Sequence, residues 1–229
     1  MHIKESVIVI TAAGSPIGRK VAHHFASLGA KIALIDTNLN ALHTTYKGCI
    51  YSHPDVEFFH LENTQQETIK QVFTSIYRRF GRFNILLNSW PESADIPNLL
   101  DPNAITDFTK VMCSGATTFF AFGKVAISFM QHNKQPALII NLASTQSHHQ
   151  PQLPNTCKCV IQGLTQSWSK ELADMNIRVG GIFPIDSPSD TNRNTPIHAA
   201  LLNEIVSSIE YMIRNESFNG RVLEAESAI

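Results

Sequence analysis

Glycine is scarce in this chain, with 11 residues in 229, about 5% against the roughly 7% of ordinary proteins. Charge is scarce as well: 16% of positions are charged, and 18 Lys+Arg stand against 19 Asp+Glu for a formal net charge of -1. So balanced a chain lacks the electrostatic field that draws a protein to nucleic acid or to an anionic membrane surface. The four cysteines, Cys49, Cys113, Cys157 and Cys159, form no CxxC pair and no ligand-spaced framework. That excludes a disulfide scaffold and a structural metal centre, and suits a reducing compartment. Cys157 and Cys159 fall in a helical pattern, where residues two apart diverge by about 200° and cannot share a metal. No apolar run approaches the roughly 18 residues of a membrane span, and Val7 to Ile10 is too short for a signal-peptide core. The expected location is the cytoplasm.

What is present is a large apolar content, 43% of positions, enough for one substantial core. Short β-rich apolar runs at 6–11, 31–35, 56–60, 83–88, 137–142, 177–183 and 221–225 predict strands. Helical patterns lie near 17–28, 64–79, 102–131, 156–174 and 197–214. Most of the strands are apolar enough to be covered on both faces. Alternation of this kind, kept to the end of the chain, predicts an α/β fold with a parallel sheet between two helical layers. No repeat or low-complexity linker interrupts it, and Pro and Ser gather only in loops, at 145–156 and 184–196. The expectation is one domain over 1–229.

The helix at 102–131 carries Phe108, Val111, Met112, Phe119, Phe120, Phe122, Val125, Ala126, Phe129 and Met130 around more than one face, whereas a helix lying on a sheet needs a single apolar stripe. The second face is either buried within the chain or, the preferred reading, forms a homo-oligomer interface. The pair His23-His24, in the first helical pattern, reads as part of a solvated face.

The first strand runs through Thr11 into Ala12-Ala13-Gly14-Ser15-Pro16-Ile17-Gly18 and a helix, and the second strand ends at Asp36. In a dinucleotide fold such a turn brings backbone N–H groups and a helix N-terminus to a pyrophosphate, and an acid after the second strand accepts bonds from the adenosine ribose hydroxyls. The charge of Asp36 would repel a 2'-phosphate, which favours NAD over NADP. Alternatively, Asp36 merely caps the helix that begins at Asn38 and Leu39.

Taken in order, these pieces resemble the short-chain dehydrogenase/reductase family over essentially the whole chain. Thr11 to Gly18 corresponds to its TGxxxGxG, and Phe80 to Asn88 to the strand leading into NNAG. Asn141-Leu142-Ala143-Ser144 matches its catalytic-serine strand, Lys158 with Gly163-Leu164-Thr165 its YxxxK helix, and Ile177 to Pro184 its IRVNxIxPG strand. The resemblance implies a Rossmann-like, doubly wound parallel sheet of seven strands with helices on both faces. It implies hydride transfer between NAD(P) and an alcohol or carbonyl, and dimers or tetramers packed through the 102–131 helix. It assigns cofactor binding to Thr11, Gly14, Ile17, Gly18, Asp36, Glu62, Asn63, Asn88 and Lys158, and catalysis to Ser144 and Lys158.

The departures from that pattern are specific. The family's catalytic tyrosine falls on Pro154, and no tyrosine lies between Tyr77 and Tyr211; the catalytic asparagine falls on Met112. General acid-base catalysis contributes about 10² to 10⁴ in rate, roughly 3 to 5 kcal/mol of barrier. His149, in the loop after Ser144, is the substitute proton donor the residues offer. Motif glycines are replaced by Ala12, Pro16, Pro91 and Ile185, and Trp90 follows Ser89 where the family has alanine. Two readings follow: a non-catalytic ligand-binding or oligomer-partner protein with NAD binding weak or lost, which is preferred, and an NAD-dependent oxidoreductase using His149. Neither calls for a metal, nucleic acid or membrane, and neither names a small-molecule ligand.

Overall fold

The computed structural model describes residues 1–89, 97–132, 135–143, 155–185 and 199–226. Seven strands, β1 Val7–Ile10, β2 Lys31–Asp36, β3 Val56–His60, β4 Ile85–Ser89, β5 Ala137–Leu142, β6 Ile177–Ile185 and β7 Val222–Glu226, form one sheet in the order β3-β2-β1-β4-β5-β6-β7. Every pairing is parallel. Each strand lies within two residues of its expected ends. Strand order reverses between β1 and β4, and in an open parallel sheet the crevice at the carboxyl ends beside such a switch is where ligands bind.

The helices are α1 Pro16–Ser27, α2 Leu39–Ile50, α3 Gln66–Phe80, α4 Ala104–Val111, α5 Thr117–Met130, α6 Asn155–Glu171 and α7 Ala199–Arg214. They divide into two layers because successive strand residues point to opposite faces. Ile8 and Ile10 of β1 join Val21 and Phe25 of α1, Leu42 of α2 and Ile205 and Ile209 of α7 in one core. Val7 and Val9 join Phe73 of α3, Phe119 and Phe122 of α5 and Ile161 of α6 in the other. This is the doubly wound arrangement expected from the sequence.

Three features depart from expectation. Helix α2 was expected only as a start at Asn38 and Leu39, not as one of the periodic stretches; its N-cap is Asn38, whose side chain accepts from Ala41 N–H at 3.1 Å. Its inner face is thin, Leu42, Thr45 and Cys49, which is why periodicity did not mark it. Burial pushes the Cys49 thiol up to about 11. Next, the expected helix 102–131 contains a π turn at Met112–Ala116 between α4 and α5, one extra residue within the helical ladder, a form enriched at functional sites. Finally, the histidine pair is not a solvated face. His24 Nε2 lies 3.1 Å from Glu210 Oε2 on α7, and the ring of His23 packs on Gly48 of α2 with its Nε2 buried.

The run Ala104–Met130 is long and apolar enough to cross a membrane, with mean hydropathy 1.3 over its best window, but 47% of that window is buried inside the protein. The sequence count of unbroken apolar residues missed it because Asp107, Lys110 and Lys124 interrupt the run. Much of its second face is covered within the chain: Phe119 stacks on Trp168 of α6, and Phe129 packs against Phe73, Tyr77 and Phe83. Ile105, Phe108 and Phe120 remain exposed.

Candidate functional site

The carboxyl edge of β1 and β2 is held by a ring of short-range hydrogen bonds. Ala12 turns the chain with φ of 50°, a left-handed conformation that is uncommon for a residue with a Cβ. Ala13 N–H donates to Ile35 O at 3.0 Å and Ser15 N–H to Ala12 O at 3.1 Å. Gly14 N–H donates to Asp36 Oδ2 at 2.8 Å, and Asn38 N–H to Asp36 Oδ1 at 2.8 Å. The Asp36 carboxylate is therefore fixed from both sides by backbone amides, the strong form of hydrogen bond with an ionised acceptor. A carboxylate offers about four lone-pair sites, so acceptor capacity remains on both oxygens. Asp36 thus ties the turn after β1 to the start of α2, while the cap of that helix is Asn38 rather than Asp36.

Two glycines are required by space. A Cβ on Gly14 would lie 2.6 Å from Ala41 Cβ, and one on Gly18 would lie 2.4 Å from Ala12 O and 2.9 Å from Ala13 Cα. Helix α1 starts with Ser15 as N-cap, its Oγ accepting from Gly18 N–H at 3.0 Å, and with Pro16 at the first position, where a missing N–H costs least. Of residues 13–18, Ile17 has the backbone N–H that finds no acceptor among the described residues. It is the donor that an anion at this helix end would meet.

Two further residues brace the turn. Arg19 Nη2 donates to Gly14 O at 3.3 Å and Nε to Thr45 Oγ1 at 3.4 Å, and the Thr45 hydroxyl lies 2.9 Å from Ala13 O. Sequence reading missed both. Thr45 is 32 positions from Ala13 and lies on α2, whose sequence shows no clear period, so no local motif could have marked it.

Of the remaining residues assigned to a cofactor, Thr11 is buried with its hydroxyl bridging to β4, donating to Leu87 O at 3.2 Å and accepting from Ser89 N–H at 2.8 Å. Glu62 is exposed just beyond β3, one residue after Leu61, whose N–H donates to Asp36 O at 3.0 Å. Asn63 Oδ1 accepts from Gln65 N–H at 3.0 Å and Thr68 Oγ1 at 2.8 Å, at the start of α3. Asn88 is fully buried. Its Nδ2 donates to Phe119 O at 3.1 Å and to Asn141 Oδ1 at 3.4 Å, and Asn141 in turn donates to Thr165 Oγ1 at 3.0 Å. This polar ladder ties β4, β5, α5 and α6 together beneath the site. Asn88, read as a cofactor contact, faces into that ladder.

At the β5 and β6 edge, Lys158 Nζ lies over the Phe183 ring, 5.8 Å from its centroid, and Phe183 is buried. An ammonium on an aromatic face is an attractive arrangement, and Phe183 was not singled out from the sequence. Met112 opens the π turn with a thioether where an amide would have offered a donor and an acceptor. Trp90, Ser144, His149 and Pro154 lie outside the described residues.

A β-turn-α unit with an acid after the second strand, at the switch point of a parallel sheet, is the framework of a dinucleotide-binding α/β protein. The short chain dehydrogenase family model matches residues 6–199, and the chain belongs to that family. Among curated relatives, it is 27% identical to the 3-oxoacyl-[acyl-carrier-protein] reductase FabG of Thermotoga maritima over 82% of this chain and 77% of that one. It is 25% identical to the sorbitol-6-phosphate 2-dehydrogenase of Klebsiella pneumoniae over 80% of this chain and 70% of the other. Among solved structures, NAD+-bound xylitol dehydrogenase superposes with a TM-score of 0.81 at 22% identity, covering 97% of this chain and 98% of that one. The 3-ketoacyl-(acyl-carrier-protein) reductase of Brucella melitensis, complexed with NADH, superposes with a TM-score of 0.80 at 18% identity, covering 99% and 98%.

Proposed function

We propose that this chain is a non-catalytic member of the short-chain dehydrogenase family, a nucleotide-binding or oligomer-partner protein of the cytoplasm. One observation carries the reading: Pro154 occupies the position of the family's proton donor, and no tyrosine exists between Tyr77 and Tyr211 to replace it. Met112 at the asparagine position removes a second member of the catalytic set. Proton transfer is the part of this chemistry that the protein must supply, and a proline side chain has no proton to give.

A nicotinamide dinucleotide fits the β1 and β2 end. Asp36 has acceptor capacity for the adenosine ribose hydroxyls, Ile17 N–H is the donor for a phosphate at the α1 N-terminus, and Gly14 and Gly18 let the turn pack closely against Ala41 and Ala12. The carboxylate of Asp36 favours NAD over NADP. At the other end Lys158 is the residue to meet the nicotinamide ribose, and it already lies over Phe183. Such a cofactor, when bound, supplies hydride acceptance or donation; the protein would have to supply the proton. The exposed Ile105, Phe108 and Phe120 support self-association through α4 and α5 as a dimer or tetramer.

The second reading is an NAD-dependent oxidoreductase in which His149 gives the proton and Ser144 holds the substrate oxygen. The names of the relatives, reductases and dehydrogenases, favour it. Turnover of NADH with a panel of carbonyls, and of NAD+ with alcohols, separates the two. The non-catalytic reading expects no turnover above blank. Turnover that disappears in His149→Ala would establish the second reading.

A further inference from the structure

Helices α1 and α2 meet through neighbouring contacts, and one of them is made by a titratable ring. Nearest the β1–α1 turn, Arg19 Nε donates to Thr45 Oγ1 at 3.4 Å, Arg19 Nη2 donates to Gly14 O at 3.3 Å, and the Thr45 hydroxyl lies 2.9 Å from Ala13 O. One turn further along α1 comes His23, and on α2 the residue three past Thr45 is Gly48. The imidazole occupies the place of a side chain at 48: a Cβ there would lie 2.5 Å from His23 Nε2 and closer still to Cε1. Nε2 is buried and has no hydrogen-bond partner among the described residues. A neutral ring tolerates that seat, whereas an imidazolium has a charge and a second N–H that need water or an acceptor. Neither helix contains an Asp or Glu; the titratable groups of α1 are Arg19, Lys20, His23 and His24, and those of α2 are His43, Tyr46, Lys47 and Cys49. Among the elements packed on these helices, Glu210 of α7 pairs with His24 and Arg214, Asp36 of β2 accepts from Gly14 and Asn38, and Glu57 of β3 pairs with Arg79. Burial first, then the charges of Arg19 and Lys20, hold the His23 pKa below the usual 6.5.

We propose that His23 is an acid-sensitive latch between α1 and α2: neutral, it lies on Gly48 and keeps Arg19 and Thr45 on the β1–α1 turn; protonated, it leaves Gly48 for water and loosens the turn at Ala13 and Gly14. The latch is closed at neutral pH and opens as pH falls through the folded pKa of the ring. Any ligand held by the turn is then held less firmly in acid, so the proposal does not depend on a nucleotide being that ligand.

Nuclear magnetic resonance of the full chain, free of ligand, between about pH 7.5 and about pH 5 tests it. The backbone amide signals of Gly48 and Gly14 are expected to shift with the same midpoint as the His23 ring protons, below 6.5. A Gly14 signal that stays still, or shifts with a different midpoint, overturns the proposal, as does a His23 ring that takes up no proton over this range. His23→Gln is expected to abolish the common titration at Gly48 and Gly14, and its persistence contradicts the latch. His24→Gln removes the ring that meets Glu210 on the α7 side of the same helix; it is expected to leave the titration at Gly14 in place, and loss of that titration would assign the effect to the Glu210 pair instead. Should His23→Gln fail to fold, the wild-type midpoints decide by themselves.

Discussion

The β1 and β2 end of the sheet's carboxyl edge and its β5 and β6 end meet the same crevice, yet they are built differently. At the first, the groups that would contact a nucleotide also hold the fold: Gly14 N–H is bonded to Asp36, Asp36 to Asn38, and Thr45 and Arg19 to the turn. At the second, the structural work is done one layer down by Asn88, Asn141 and Thr165, with which Met112 makes no hydrogen bond among the described residues. A change at the first end therefore disturbs the turn itself, while a change at Met112 leaves the Asn88, Asn141 and Thr165 bonds in place. Asp36 with Pro154 in one chain is the outcome such a division allows.

The comparison can be broken by substitution. Gly18→Ala puts a methyl against the Ala12 carbonyl, a backbone atom that cannot yield without moving the turn. It is expected to cost about 2 to 3 kcal/mol, read as a lower urea midpoint. Asp36→Ala leaves the N–H groups of Gly14 and Asn38 without their carboxylate and is expected to cost about 2 kcal/mol, together with nucleotide binding. Thr45→Val removes the hydroxyl that bonds Ala13 O, with an expected loss of about 1 kcal/mol in the same unfolding experiment. At the other end, Gly163 lies exposed within α6, and a Cβ there meets nothing within 4 Å. Gly163→Ala is expected to stabilise by about 0.5 to 1 kcal/mol through helix propensity. A cost at Gly163 equal to that at Gly18 would erase the distinction between the two ends.

A smaller effect concerns pH. Burial, and then the nearby charges of Arg19 and Lys20, lower the pKa of His23 from the usual 6.5. The folded state holds this ring neutral against Gly48, whereas the unfolded chain takes up a proton below 6.5. Its contribution is thus complete above that pH and declines as pH falls below it. Unfolding free energies compared across this range should decrease toward acid, and His23→Gln should flatten part of that slope. An unchanged slope would place the acid sensitivity elsewhere.

The strands were legible because each is an apolar run bounded by polar residues, and β3 and β5 were read to the residue. The turn between β1 and α1 was legible where a local motif carries it, at Gly14, Gly18 and Asp36. Arg19 and Thr45 escaped because their contacts join segments far apart in sequence, and the extent of α2 beyond its start at Asn38 escaped because three inward residues are too few to show a period. The π turn at 112–116 escaped for a different reason. Helix 102–131 is apolar around more than one face, so one inserted residue leaves the hydrophobic pattern unbroken. The second apolar face was read as an interface, and the structure shows how much of it Trp168, Phe73 and Phe83 already cover.

Hydrogen–deuterium exchange, with and without saturating NAD+, tests the contrast between the two ends most directly. The account predicts added protection at residues 12–18 and 36–38 that exceeds any at 112–116 or 158–162. Equal protection at both ends would contradict it, because the nicotinamide half would then be bound as firmly as the adenosine half.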